Sequence, residues 1–197
     1  MKKQFFVEGD ADAKFLHDLI FYWYGVNTSI GKQGNENSDI LIIGGKENLL
    51  KLWGTIQRNS ILDIYSIIIF DADIFVEESL KLESFKKQYP FQFFLLPDHH
   101  KNGDLESLLI QLIHPNHQII LDCWDTYETC LSTNKQYTLP ARKTRIYAYM
   151  EALVGSSGKE KEKIKEAKRD YLNSLHWNLN AEILQPLKTF LDNYFIV

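Results

Sequence analysis

The run Tyr65-Ser66-Ile67-Ile68-Ile69-Phe70 is the most strand-like stretch of the chain, and it stops abruptly at Asp71-Ala72-Asp73. Apolar β-branched residues in unbroken series read as a buried strand. Shorter runs of the same kind recur at residues 4–7, 40–43 and 91–95. Between them lie helix-length amphipathic segments. Residues 12–23 carry an apolar face of Phe15, Leu19, Ile20 and Trp23, and residues 46–58 one of Leu49, Leu50, Trp53 and Ile56. Residues 77–88 and 104–113 complete the series. Strands alternating with helices of this length build right-handed βαβ units, so the expected class is α/β, a mainly parallel sheet flanked by helices.

Past His117 the pattern turns helical, with candidates at residues 119–131, 142–153, 159–172 and 181–195. The expected organisation is an α/β domain over residues 1–115 and an all-helical C-terminal extension, residues 116–197, packed on it. Residues 28–38 are polar and rich in Gly and Asn, which suggests a loop or hairpin. Cys123 and Cys130 are the only cysteines. One heptad apart on a helix, their Cα atoms would stand about 10 Å from each other, too far for a disulfide. Two buried, reduced thiols are expected, as in a cytoplasmic protein. No stretch is as long as a membrane span, and Met1-Lys2-Lys3 leads into an apolar run that ends at Glu8, unlike a signal peptide.

The acids at the strand ends carry the functional expectation. Phe5-Phe6-Val7 is followed by Glu8-Gly9-Asp10-Ala11-Asp12, and the central run by Asp71 and Asp73. In an open α/β sheet the carboxyl ends of the strands line the ligand crevice. Adjacent strands would gather Glu8, Asp12, Asp71 and Asp73 in one place. Two carboxylates about 5 Å apart repel by roughly 3 kcal/mol at an effective dielectric of about 20. A divalent cation relieves that repulsion, and hard oxygen donors suit Mg²⁺ or Mn²⁺. Asp71 and Asp73, one residue apart, are expected to point to the same side.

The motif Val7-Glu8-Gly9-x-x-Asp12, followed later by Phe70-Asp71-Ala72-Asp73, resembles the TOPRIM fold. That Rossmann-like, metal-dependent phosphotransfer domain is shared by topoisomerases, primases, small RNA-maturation nucleases and OLD-type nucleases. The Glu8-x-x-x-Asp12 spacing looks most like the OLD type. Leu96-Pro97-Asp98 and Gly103-Asp104-Leu105-Glu106-Ser107 resemble a segment of small single-domain TOPRIM-like bacterial proteins of unknown function. The resemblance covers roughly residues 3–113 and, more weakly, 143–150. It implies Glu8, Asp12, Asp71, Asp73 and Glu106 as metal ligands, with Glu106 serving a second ion. It also implies cleavage or transfer of phosphodiesters, with nucleic acid or a nucleotide as partner. Ile74 departs from the polar residue or glycine that several TOPRIM families place after the second aspartate. The chain carries no phosphate-binding P-loop.

In that chemistry Glu8, Asp71 and Asp73 are the catalytic carboxylates, and Glu8 is a ligand or the general acid or base. Lys143 joins them as a catalytic candidate, and it could hold the scissile phosphate together with the substrate-binding candidates Lys101 and Arg145, while Gly44-Gly45 would let backbone N–H groups approach it. Each residue also has a plainer reading. Asp12, Asp104 and Glu106 suit the first turn of a helix, and the two glycines suit a tight turn. His99-His100 reads as an exposed turn, and residues 114–117 as a helix break. The Lys/Glu run 159–169 reads as a solvated helix face, and Trp177 and the stripe Ile183, Leu184, Leu187, Phe190, Leu191 and Tyr194 as packing or a homodimer interface. A net charge of −4 excludes a broadly basic nucleic-acid binder, though not a local basic face. A second functional reading is therefore a catalytically weak metal- or nucleotide-binding regulatory module that works with a protein partner. A third is a plain scaffold with no metal.

Overall fold

The computed structural model describes residues 2–32, 34–35, 37–155 and 157–196. In chain order the strands are β1 (Lys2–Val7), β2 (Ile30–Lys32), β3 (Ile40–Ile42), β4 (Ile64–Asp71) and β5 (Gln92–Leu96). The helices are α1 (Asp10–Tyr24), α2 (Trp53–Ile61), α3 (Phe75–Lys86), α4 (Leu105–Leu112), α5 (Gln118–Ser132), α6 (Arg142–Leu153), α7 (Gly158–Glu162) and α8 (Gln185–Phe195). The strands form one sheet in the order β2-β3-β1-β4-β5, and every neighbouring pair is parallel. The α/β class with a helix-flanked parallel sheet is thus the observed architecture.

Pleating sorts the apolar runs into two cores. Phe5, Val7, Ile67, Ile69, Phe94 and Leu96 face one side, against α1, α4 and the C-terminal elements. Phe6, Ile68, Phe70, Phe93 and Leu95 face the other, against Leu49, Leu52, Ile56 and Leu82. Apart from the edge strand β2, the apolar runs of the strands are buried on both faces, which is why they are continuously apolar. Because β1 and β4 are neighbours in register, with Val7 opposite Ile69, their acidic ends arrive side by side.

Several expectations need correction. The stretch from residue 28 to 38 contains β2, a parallel edge strand rather than a hairpin arm; Gln33 and Glu36 in it lie outside the described residues. The segment after Gly45 begins as a 3₁₀ turn, Lys46–Leu52, before α2. Its three-residue period buries Leu49 and Leu52 and leaves Leu50 exposed. Cys123 and Cys130 are both exposed, because α5 buries only Leu121. Residues 159–172 do not form one helix. Only the five residues of α7 and a 3₁₀ turn, Glu166–Lys168, are helical there. The C-terminal part is helices and turns among the described residues, plus one isolated antiparallel bridge, Ile113 with Trp177. Trp177, Leu184, Leu187 and Leu191 are packing residues in the first core.

Candidate functional site

The acids at the carboxyl ends of β1 and β4 come together, but they divide between the two faces of the sheet. Asp71 continues the alternation of Ile67 and Ile69 and so points toward α1 and α4. Its Oδ1 accepts the N–H of Leu105, the first residue of α4, at 2.7 Å. An acid at a helix N-terminus is favoured by the free N–H groups there. Asp12 stands nearby in the first turn of α1 and is nearly buried; its Oδ2 accepts the Gly9 N–H at 2.9 Å. The capping reading of Asp12 therefore holds, and it does not remove Asp12 from the crevice. Glu106, half-buried in the first turn of α4, is the third acid on this face.

Glu8 and Asp73 belong to the other side. Glu8 continues the alternation of Phe6, and its Oε1 accepts the Asp71 N–H at 3.0 Å. Strand β4 ends at Asp71, so the two-residue period does not reach Asp73. With φ at 46° and its N–H on Gly103 O at 2.7 Å, Asp73 turns out of the sheet plane and stays exposed. Its Oδ2 takes a hydrogen bond from Lys46 Nζ at 2.5 Å, and the same ammonium is 3.8 Å from Glu8 Oε1. Asp71 and Asp73 are therefore not a pair on one side.

The electrostatics follow this division. Burial pushes the Glu8 carboxyl up to about 7, against the pull of Lys46 and the Asp71 N–H. Burial also raises Asp71, and the charges of Asp12 and Glu8 raise it further. Asp12 is raised by burial, with Glu106 and Glu166 adding to it. Burial raises Glu106 as well, and the charge of Lys143 opposes the shift. On Lys46, burial works against the ammonium, but the hydrogen bond to Asp73 and the charge of Glu8 outweigh it and push its pKa up.

Glu166 and Lys46 contribute to the crevice without having been singled out from sequence, and Arg169 is buried in the segment that carries Glu166. The 3₁₀ turn that carries Glu166 is held on α1 by the Tyr171 N–H, which donates to buried Asp18 at 3.0 Å, and by Tyr171 edge-on to Phe15. Glu166 there accepts from Tyr147 Oη at 3.1 Å. Arg169 is only 2 % exposed; it donates to Tyr171 Oη and Ile164 O, and its Nε has no partner among the described residues. The solvated-face reading of residues 159–169 fails at these two positions. No local pattern marks them. Lys46, by contrast, directly follows a glycine pair at a strand end, a signal that was available.

The proposed phosphate holders are dispersed. Lys101 pairs with Asp98 at 3.1 Å and Arg145 with Asp125 at 2.6 Å. Lys143 is exposed at the start of α6, next to Arg142, which pairs with Asp104 at 2.7 Å. Asp104 caps α4 by accepting the Ser107 N–H. Gly44 and Gly45 have φ of 74° and 113°, so the turn requires glycine; a Cβ on Gly45 would also meet Glu47 Oε1 at 2.5 Å. His99 is half-buried, not an open turn: its Nδ1 accepts the Leu95 N–H and its ring stacks on Phe94.

Among the described residues no three His, Cys, Asp or Glu side chains stand as a ready-made metal cage. Glu8, Asp12 and Asp71 each direct an oxygen to a backbone N–H. The donor set is nonetheless all oxygen, as Mg²⁺ and Mn²⁺ require, and an ammonium already stands between two of the acids. In chemistry these donors suit a hard divalent cation; in position the described residues do not form a three-ligand group. The family model described as a protein of unknown function (DUF3226) matches residues 2–196. No curated protein matches the chain, and no solved structure does.

Proposed function

The chain belongs to the DUF3226 family, and we propose that it is a Mg²⁺- or Mn²⁺-dependent nuclease or phosphotransferase acting on nucleic-acid phosphodiesters. The observation that carries this reading is the face formed by Asp71, Asp12 and Glu106, three acids packed together with no ion pair among the described residues. Without a cation that face relieves the repulsion only by holding protons, which is the direction in which Asp71 and Asp12 are shifted. The order of the motifs, Glu8 to Asp12 and then Asp71-Ala72-Asp73, supports a TOPRIM-type site.

Asp71, Asp12 and Glu106 would hold the ion, with Glu8 at its border. A bound divalent ion would polarise a phosphoryl oxygen and make water a better nucleophile. Glu8, held at about 7, is suited to take a proton from the attacking water or return one to the leaving oxygen. Lys143 lies within electrostatic reach of Glu106 and would steady the phosphate at the rim. The test is cleavage of single- and double-stranded DNA and RNA with Mn²⁺ or EDTA, by the wild type, Glu8→Gln and Asp71→Asn. Metal-dependent cleavage lost in both variants is expected; no cleavage of any substrate would overturn the enzymatic reading.

One observation favours the second reading, a metal- or nucleotide-binding regulatory module with a protein partner. Two of the candidate phosphate holders, Lys101 and Arg145, are already engaged by acids. That module would show metal-dependent thermal stabilisation without turnover. In both readings the protein works in the cytoplasm.

A further inference from the structure

Two exposed apolar surfaces of this molecule carry opposite charge. The first lies at the amino ends of the strands, where two open grooves meet at Ile64, which lines both. Where α2 turns into β4, the chain leaves Ile61 82 % exposed, with Leu62 and Tyr65 also open to solvent. Lys2, Lys3, Arg58 and Lys86 line the grooves, against the acids Asp39 and Asp63 among the described residues. The second surface is the outer face of α5, a helix that buries only Leu121. Ile119, Cys123, Tyr127 and Cys130 are all exposed and follow one another at helical spacing, so they form a single stripe. The helix carries Asp122, Asp125 and Glu128 and no lysine or arginine. Asp125 is engaged by Arg145, whereas Asp122 and Glu128 make no ion pair among the described residues.

We propose that the chain self-associates by seating α5 of one copy in the amino-end grooves of another. Ile119 and Tyr127 would pack on Ile61, Leu62 and Tyr65, and the helix acids would face Lys2, Arg58 and Lys86. An amphipathic helix laid in a groove anchors through residues one and two turns apart, which is the spacing of the α5 stripe. Charge selects the pairing. Helix on helix would set acids against acids, and groove on groove would set cations against cations. The charges oppose each other only when the helix of one copy meets the grooves of the next. The contact joins two different patches, so it builds a reciprocal dimer, a ring or a longer array rather than a helix-to-helix pair. Its groove half lies at the opposite end of the sheet from Glu8 and Asp71.

The experiment is sedimentation velocity of the full chain at about 0.15 M and about 1 M NaCl, joined to carbodiimide cross-linking of an equal mixture of unlabelled and ¹⁵N-labelled chains. The expected result is an assembly at the lower salt that weakens at the higher. Lys2 or Lys86 of one copy should then be linked to Asp122 or Glu128 of the other, in peptides that combine the two labels. A monomer at both salts, or mixed-label links only elsewhere, would overturn the inference. Two charge-reversal variants sharpen it, Lys2→Glu/Lys86→Glu and Asp122→Lys/Glu128→Lys, each checked for folding by circular dichroism. Each alone is expected to weaken association about tenfold. Mixing them should restore it, because each keeps the surface that the other has lost. Unchanged association in either folded variant, or none restored in the mixture, would also overturn the inference. Should a variant not fold, the wild-type mass and its cross-links decide.

Discussion

The two ends of the sheet are built from the same five strands and have opposite chemistry. At the amino ends lie two open grooves. One, of about 630 Å³, is lined by Lys2, Lys3, Gln4, Arg58 and Asn59, and another, of about 590 Å³, by Ser66, Lys86 and Phe91. Some of their polar groups are matched to one another: Asn59 Nδ2 donates to Gln4 Oε1 and Ser66 Oγ, and Gln4 Nε2 to Ser38 O, while Asn59 Oδ1 has no partner among the described residues. At the carboxyl ends Asp71, Asp12 and Glu106 make no ion pair among the described residues. The two grooves thus lie at one end and the unmatched charge at the other. We give weight to charge, because a buried polar network is an ordinary structural device, whereas neighbouring carboxylates raise the energy of the empty protein.

The comparison is broken most decisively through activity. Asp71→Asn is expected to lower metal-dependent cleavage by at least about 100-fold, and Glu8→Gln by a similar factor. Removing Lys2 or Lys3 should leave the rate within about twofold, as measured by single-turnover assays. Equal losses at both ends would mean that the amino-end groove belongs to the site.

Next comes pH. Glu8 ionises at about 7 in the folded protein and near the ordinary carboxylate value when unfolded, and Asp71 and Asp12 are shifted in the same direction. Between those values the folded state holds protons that the unfolded state has released. Stability in EDTA is therefore full at about pH 4 and falls as pH rises through 7. For Glu8 alone the loss approaches about 3 kcal/mol by pH 8. Asp71→Asn should flatten the fall, and Mn²⁺ should reverse it in the wild type alone. Denaturant unfolding at pH 5 and pH 8 measures both effects; a flat wild-type profile would contradict the crowding.

At the amino end, Asn59→Leu leaves Gln4 Oε1 and Ser66 Oγ without their buried donor. That costs about 1–3 kcal/mol, seen as a lower melting temperature with Mn²⁺ binding unchanged. The smallest effect is expected from Lys101→Ala, which breaks a pair whose ammonium is exposed. Stability should change by less than about 0.5 kcal/mol, and cleavage by no more than about twofold. A large drop in cleavage would place Lys101 on the substrate.

Legibility in the sequence followed the range of the interactions. The strands and most helices come within a few residues of their local patterns, and Arg142–Leu153 coincides with its expected bounds. The acids after β1 and β4 were visible because a strand's end and its neighbouring acid are contiguous in the chain. Errors arose where packing between distant segments decides. Leu50 is turned outward by a 3₁₀ turn, and Cys123 and Cys130 lie on a helix with little to pack against. Residues 159–172 bend around α1 rather than continuing as a helix, because Tyr171 and Arg169 find buried partners there.

The sequence by itself determined that this chain is a parallel α/β sheet with carboxylates at the ends of two strands, since continuous apolar runs have to be covered on both faces. Only the tertiary structure decided how those carboxylates are shared out. The pleat sends Asp71 to one face and Glu8 to the other, and the left-handed turn at Asp73 takes it out of the ladder. Lys46 then closes on Glu8 and Asp73, while Glu166 arrives from a segment far along the chain. Side-chain alternation is local, but the partner each carboxylate meets is set by loops and packing that no short stretch of sequence encodes.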